Sequence, residues 1–148
     1  MKGKMLPVVK SPIFSKAFKE KGIENVVKWD VFPVSSGEIL RLTFESSSGE
    51  AKQGVWLKSD KGIRLNSEVY KSVELWIDTA PKEVTFECIT DDGLLSLYNI
   101  WDSGRGKESQ AWSSGMLIEE LPKGRRYKCN DLGFETSFQK LVFRIERI

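Results

Sequence analysis

From Pro33 onward, apolar and polar residues alternate with a period of two. In "EILRLTFES", Leu40, Leu42 and Phe44 fall on one side. "SVELWIDT" puts Val73, Leu75 and Ile77 on one side and Trp76 on the other, and "VTFECIT" aligns Val84, Phe86 and Cys88. In "LLSLYNIWD", Leu95, Leu97, Asn99 and Trp101 share one face and Ser96, Tyr98, Ile100 and Asp102 the other. The last segment, "KLVFRIERI", sets Leu141, Phe143 and Ile145 against Arg144 and Glu146. Side chains of a strand point alternately to opposite faces, so this pattern predicts strands with one buried and one wet face. Turn signals separate the runs: "SSSGE", Asp60–Gly62, "APKE", "DDG" and "PKG". "GVWLKSD" and "GIRLN" read as the arms of a hairpin about Asp60–Gly62. About eight short strands at this spacing predict an all-β antiparallel β-sandwich of jelly-roll-like topology.

One segment departs from the period of two. In "SPIFSKAFKEKG", Phe14, Ala17 and Phe18 recur at helical spacing, which predicts a short N-terminal helix. Ser11 is the expected cap, Pro12 the first helical residue and Gly22 the stop. The stretch from Ile23 to Trp29 reads equally as a helical turn or a strand. No low-complexity linker or repeat interrupts the chain, so residues 1–148 are read as one domain with a basic, partly helical segment over 1–30.

Charge changes the picture only at the N-terminus. The formal net charge is +2, but residues 1–28 carry seven lysines against two glutamates. The lysines are spread out and unaccompanied by arginine, so they read as a solvated face rather than a nucleic-acid arm. "KGRRYK", Lys123 to Lys128, interleaves arginine with Tyr127, but on a strand Arg125 and Tyr127 share one face and Arg126 and Lys128 the other. The charge is thus divided, and nucleic acid is not the expected partner. No stretch reaches the ~20 apolar residues of a membrane helix. The start makes a poor signal sequence, because Pro7 and Lys10 break its short apolar run. The expected compartment is the cytoplasm.

Candidate chemistry is narrowed by the absence of histidine from the sequence. A Ser-His-Asp or Cys-His arrangement and a His-ligated zinc are excluded. Cys88 and Cys129 lie in strand-like runs and are not spaced as metal ligands; they read as small buried hydrophobes, with a single disulfide as the alternative. "GRGKES" lacks the spacing of a phosphate loop. Asp78-Thr79-Ala80 stands where an aspartic protease has Asp-Thr-Gly, but Ala replaces Gly and Pro81 follows at once. Glu119 and Glu120, adjacent in a strand, point apart. Asp91 and Asp92 occupy a turn, while Asp102 and Asp131 lie near strand ends and could meet at one rim. No cofactor, metal site or catalytic residue is assigned on these grounds.

"SLYNIWDSGRGKESQAWSSGM", Ser96 to Met116, contains the strongest functional signal. Trp101 reads as the last core residue of its strand, whereas Trp112 stands in a polar stretch with only Ala111 as a near apolar neighbour. An indole in such a loop either folds back as a plug or faces a ligand. Flat aromatic faces suit sugar rings, with Asn, Asp, Arg and Gln as orienting partners. The expected ligand-binding residues are therefore Asn99, Trp101, Asp102, Arg105, Gln110 and Trp112, in a non-catalytic module that recognises a carbohydrate or a protein through the 101–113 loop. The alternatives are a structural or interaction subunit that presents a sheet face with Trp56 or Trp76, compatible with a homo-oligomer, and a carboxylate-dependent hydrolase using Asp78 or Asp102.

Overall fold

The computed structural model describes residues 9–134 and 136–148. The first eight residues of the basic N-terminal segment, and Glu135, lie outside that description. The chain is all-β with almost no helix. Its strands are β1 (Ile13–Phe14), β2 (Val27–Pro33), β3 (Glu38–Ser47), β4 (Lys52–Leu65), β5 (Glu68–Trp76), β6 (Glu83–Cys88), β7 (Leu94–Asp102), β8 (Gly115–Leu121), β9 (Gly124–Asn130) and β10 (Leu141–Arg147). Among the described residues there is one helix, α1 (Lys16–Glu20).

All pairings are antiparallel and run β2-β7-β4-β6-β3-β10-β9-β8, with β8 returning to β2. This is an eight-strand barrel, not the two separate sheets of the expected jelly-roll-like sandwich. Two thin seams close it: Val27↔Met116 between β2 and β8, and Ile63↔Cys88 with Arg64↔Glu87 between β4 and β6. Alternation along each strand predicts which face is buried but carries no information about these long-range partners. β1 pairs with β2, and among the described residues β5 pairs with β4 alone.

The interior is filled by the residues that alternation singled out. Leu40, Leu42, Phe44, Val84, Phe86, Cys88, Leu95, Leu97, Leu141, Phe143 and Ile145 form one buried cluster. Eight-strand barrels either fill with their own side chains or hold one small ligand; this one is filled, and the concavities described below lie at its rim and outer edge. One buried polar group crosses the barrel beside the β2–β8 seam. The Asp30 carboxylate accepts from the Tyr127 hydroxyl at 2.5 Å and from Arg125 Nη1 at 3.0 Å. Side chains thereby supplement a seam that the backbone closes with one pair.

Two local expectations are corrected. The residues read as a hairpin about Asp60–Gly62 belong to one fourteen-residue strand, β4, whose register shifts between Lys58 and Ile63. The turn lies at Asn66–Ser67, which supply φ values of 52° and 72°. Those left-handed values match the tight two-residue turn that a hairpin's twist demands. The helix is capped by Ser15, whose Oγ accepts from the Phe18 amide at 3.2 Å, not by Ser11. Ile13 and Phe14 instead pair with β2, opposite Trp29 and Val27. Gly22, at φ 82°, follows the helix as expected.

α1 packs Phe18 against Val26 and Phe138, with Ile23, Leu117 and Phe134 around them. This small cluster covers one end of the barrel, where β2 begins, β7 ends, β8 begins and β9 ends. The loop 103–114 and the described residues between β9 and β10 gather at the same end. Both cysteines are buried as free thiols, Cys88 on β6 and Cys129 on β9.

Candidate functional site

The loop after β7 is held at both ends and in its middle. Trp101, fully buried, exchanges two backbone hydrogen bonds with Glu108, at 3.1 and 2.8 Å. Between them, Asp102 Oδ1 accepts from the amides of Gly104 and Gly106 at 2.8 and 3.1 Å. Both glycines have positive φ, 108° and 96°, a region that costs an L side chain strain. Lys107 Nζ reaches across to Glu74 of β5 at 2.6 Å. Gln110 sits at φ 55° and pairs reciprocally with Lys28 of β2: its Nε2 donates to the Lys28 carbonyl at 2.6 Å, and Lys28 Nζ donates to its carbonyl at 3.2 Å. Beyond Trp112, Asn130 Nδ2 donates to the Ser113 carbonyl at 2.9 Å, and Ser113 Oγ accepts from the Gly133 amide at 2.8 Å.

Trp112 is therefore carried between two pinned neighbours, Gln110 and Ser113, yet its indole is 61% exposed. It lines a concavity of about 160 Å³ with Phe14, Ser15, Lys16, Ala17 and Lys28. Phe14 is 55% exposed. Two aromatic groups and two ammonium groups thus border one small cleft, formed by the β1–α1 segment, β2 and the loop. Lys28 is half-buried, and that burial lowers its pKa from the ordinary lysine value.

The six residues named from the sequence divide among four surroundings. Trp112 and Gln110 belong to this cleft and its support. Asn99 is buried and donates from Nδ2 to the Asn130 carbonyl at 3.0 Å, and Trp101 is the last core residue of β7. Asp102 shapes the loop backbone. Arg105 stands in solvent and pairs with Glu108 at 3.7 Å. Phe14, Lys16 and Lys28 were missed. Phe14 matched the periodicity of a helix face, and Lys28 lies in the stretch whose form was ambiguous. No local signal could have placed them against Trp112, far along the chain.

The outer wall carries a second aromatic feature. Trp56 stacks on Tyr98 with ring centroids 4.5 Å apart, and Trp29 packs against both, at 5.3 and 5.0 Å. The ladder register puts these residues in one row across β2, β7 and β4, with Ile13 of β1 and Glu74 of β5 at its ends. Lys107 of the loop is held by Glu74 at one end of this row, and its positive charge acts on the Tyr98 hydroxyl.

A larger concavity, about 390 Å³, opens at the edge of β5 and β6 and includes Glu74, Trp76, Thr79, Pro81 and Glu83. The carboxylates considered for catalysis are engaged elsewhere. Asp78 pairs with Lys52 at 3.7 Å, and Asp131 accepts from Gln53 Nε2 at 2.8 Å and the Leu132 amide at 2.6 Å. The two-sided charge of "KGRRYK" is resolved in the same way. Arg125 turns inward to Asp30, and Arg126 pairs outside with Glu45 at 2.8 Å and Glu119 at 3.2 Å.

No family model matches the chain, and no curated protein matches it. Among solved structures the chain is similar to the Chromobacterium violaceum lectin CV2L, determined in complex with alpha-methyl-fucoside, at 14% identity and a TM-score of 0.41 over 78% of this chain and 92% of that one.

Proposed function

We propose that this chain is a non-catalytic binding module that takes a carbohydrate ring against Trp112 at the rim of the barrel. One observation carries this reading: a large indole is held out in solvent, over a cleft, by a loop whose neighbouring residues are fixed through hydrogen bonds. An indole left this exposed forgoes the burial that would stabilise the fold. A rigid support that keeps it exposed gives a stacking surface at little entropic cost on binding. Sugar rings offer a flat C–H face to such a surface, and Phe14 borders the opposite side of the cleft. Gln110 takes the role of a supporting residue, while Asn99, Trp101 and Asp102 build the loop rather than touch the ligand.

The test is a glycan panel read by tryptophan fluorescence on the wild type and Trp112→Ala. The expected result is a saturable signal with at least one glycan class that disappears in the variant while its melting temperature stays near that of the wild type. Binding that survives the substitution would move the site away from Trp112.

A second reading is favoured by a different observation. Among the described residues β5 pairs with β4 alone, and it carries exposed Val69 and Tyr70 along its length. An open strand edge is a template for a partner strand. This supports an interaction subunit docked through β5, with Trp76 in the adjoining concavity. Val69→Lys would then abolish an oligomer or partner complex seen by light scattering, whereas a monomer in both forms would count against self-association through this edge.

A further inference from the structure

Resting on the sugar reading of the Trp112 cleft, we infer that its ligand carries an anionic substituent, a carboxylate or sulfate, held between Lys16 and Lys28. The ionisable side chains lining the cleft are these two lysines, with no carboxylate among them. Lys28 is the more telling. Its ammonium is half-buried, and among the described residues its hydrogen bond goes to a carbonyl, that of Gln110, rather than to a carboxylate. A partly desolvated charge without a counter-charge is costly, and an ammonium has three donors to place. The arginines follow another rule, since each of the seven has a carboxylate partner.

The acidic group closest along the strand cannot serve. Asp30 is fully buried inside the barrel, and its carboxylate is taken by Arg125 and Tyr127. Burial lowers the pKa of Lys28, and an anion in the cleft would oppose that effect. Lys16, the first residue of α1, is exposed and brings a second ammonium to the same cleft. The indole would hold the ring by its face, and the two lysines would fix the anionic substituent at its edge. Charge-assisted hydrogen bonds are roughly twice as strong as neutral ones, so the charged group would decide which glycan binds.

The experiment is calorimetric titration of the full chain with three matched tetrasaccharides: neutral galactose, galacturonate and sulfated galactose. The account expects one or both acidic chains to bind about tenfold or more tightly than the neutral one, an advantage that shrinks as sodium chloride is raised. Lys16→Met and Lys28→Met should each remove most of that advantage, and Trp112→Ala should remove binding altogether. Lys16 is exposed and outside every ion pair named here, so its variant remains informative even if Lys28→Met perturbs the loop. The two acidic chains distinguish a carboxylate site from a sulfate site. Equal affinity for neutral and acidic chains, or an acidic preference that survives both lysine substitutions, overturns this inference while leaving the sugar reading intact. Failure of all three chains, together with an unresponsive wider glycan panel, overturns both.

Discussion

At the scale of single residues, the two tryptophans that bracket the loop do opposite things. Trp101 is fully buried and Trp112 is 61% exposed. Trp101→Ala should cost about 3–5 kcal/mol in denaturant unfolding, the range for deleting a large aromatic from a packed core. Trp112→Ala should change stability by about 0.5 kcal/mol or less, as for other exposed positions. Equal losses at the two sites would mean that Trp112 is a plug. The cysteines obey a similar contrast between environment and reactivity. Burial, aided by Glu38 and Glu87, pushes the Cys88 thiol up to about 12, and burial raises Cys129 well above the ordinary thiol value. The thiolate is the reactive species. Neither cysteine should react with Ellman's reagent in the native protein at mildly alkaline pH, and both should react once it is denatured.

At the scale of elements, the thinnest part of the barrel is the contact of β2 with β8, and the Asp30–Tyr127–Arg125 group lies beside it. Tyr127→Phe leaves the ring stacked on Phe143 but removes the hydroxyl from a buried carboxylate. Chemical denaturation should show a loss of about 1–3 kcal/mol. Asp30→Ala should cost at least as much, because it also takes the buried carboxylate from Arg125 and leaves that guanidinium with Glu120 and the Val31 carbonyl. These elements also show what can be read from a sequence. β3, β6, β7 and β10 were legible because alternation in one strand is a local property. The closure was not, because it depends on which strand Val27 meets across the fold. β4 was divided in two because Asp60–Gly62 resembles a turn, whereas the chain uses that stretch as an irregularity within a continuing strand. Within the site, Trp112 was legible as an apolar residue without apolar neighbours. Lys28 and Phe14 were not, since their part in the cleft comes from β1–β2 pairing and from a loop far along the chain.

At the scale of the whole molecule, the barrel is full and the proposed site lies on its rim. Outer-wall charges add a network linking β3, β9 and β10, in which Glu45 meets Arg126 at 2.8 Å and Arg144 at 3.0 Å. Burial alone would raise the Glu45 pKa, but hydrogen bonds from Arg126 and Arg144 outweigh it and bring the value below the ordinary 4.5. Asp60 is likewise lowered: burial would raise it, but hydrogen bonds from Thr90 and the Asp91 and Asp92 amides outweigh that effect. A depressed folded-state pKa stabilises the fold above the unfolded value and loses that contribution as pH falls through the folded one. The melting temperature should therefore be level above about pH 5 and fall as the solution is acidified below the ordinary carboxylate range. Both groups lie at the surface within reach of solvent and salt, so the decline attributable to them should be shallow and weakened further by salt. Glu45→Gln should flatten part of it.

The proposed glycan site at the rim of this barrel is centred on Trp112. Its most direct test follows the five indole N–H signals in a nitrogen-15 correlation spectrum during titration with a responding glycan. The Trp112 signal, assigned by its absence in Trp112→Phe, should shift saturably while that of buried Trp101 stays in place. A glycan that binds while the Trp112 signal remains fixed would contradict it.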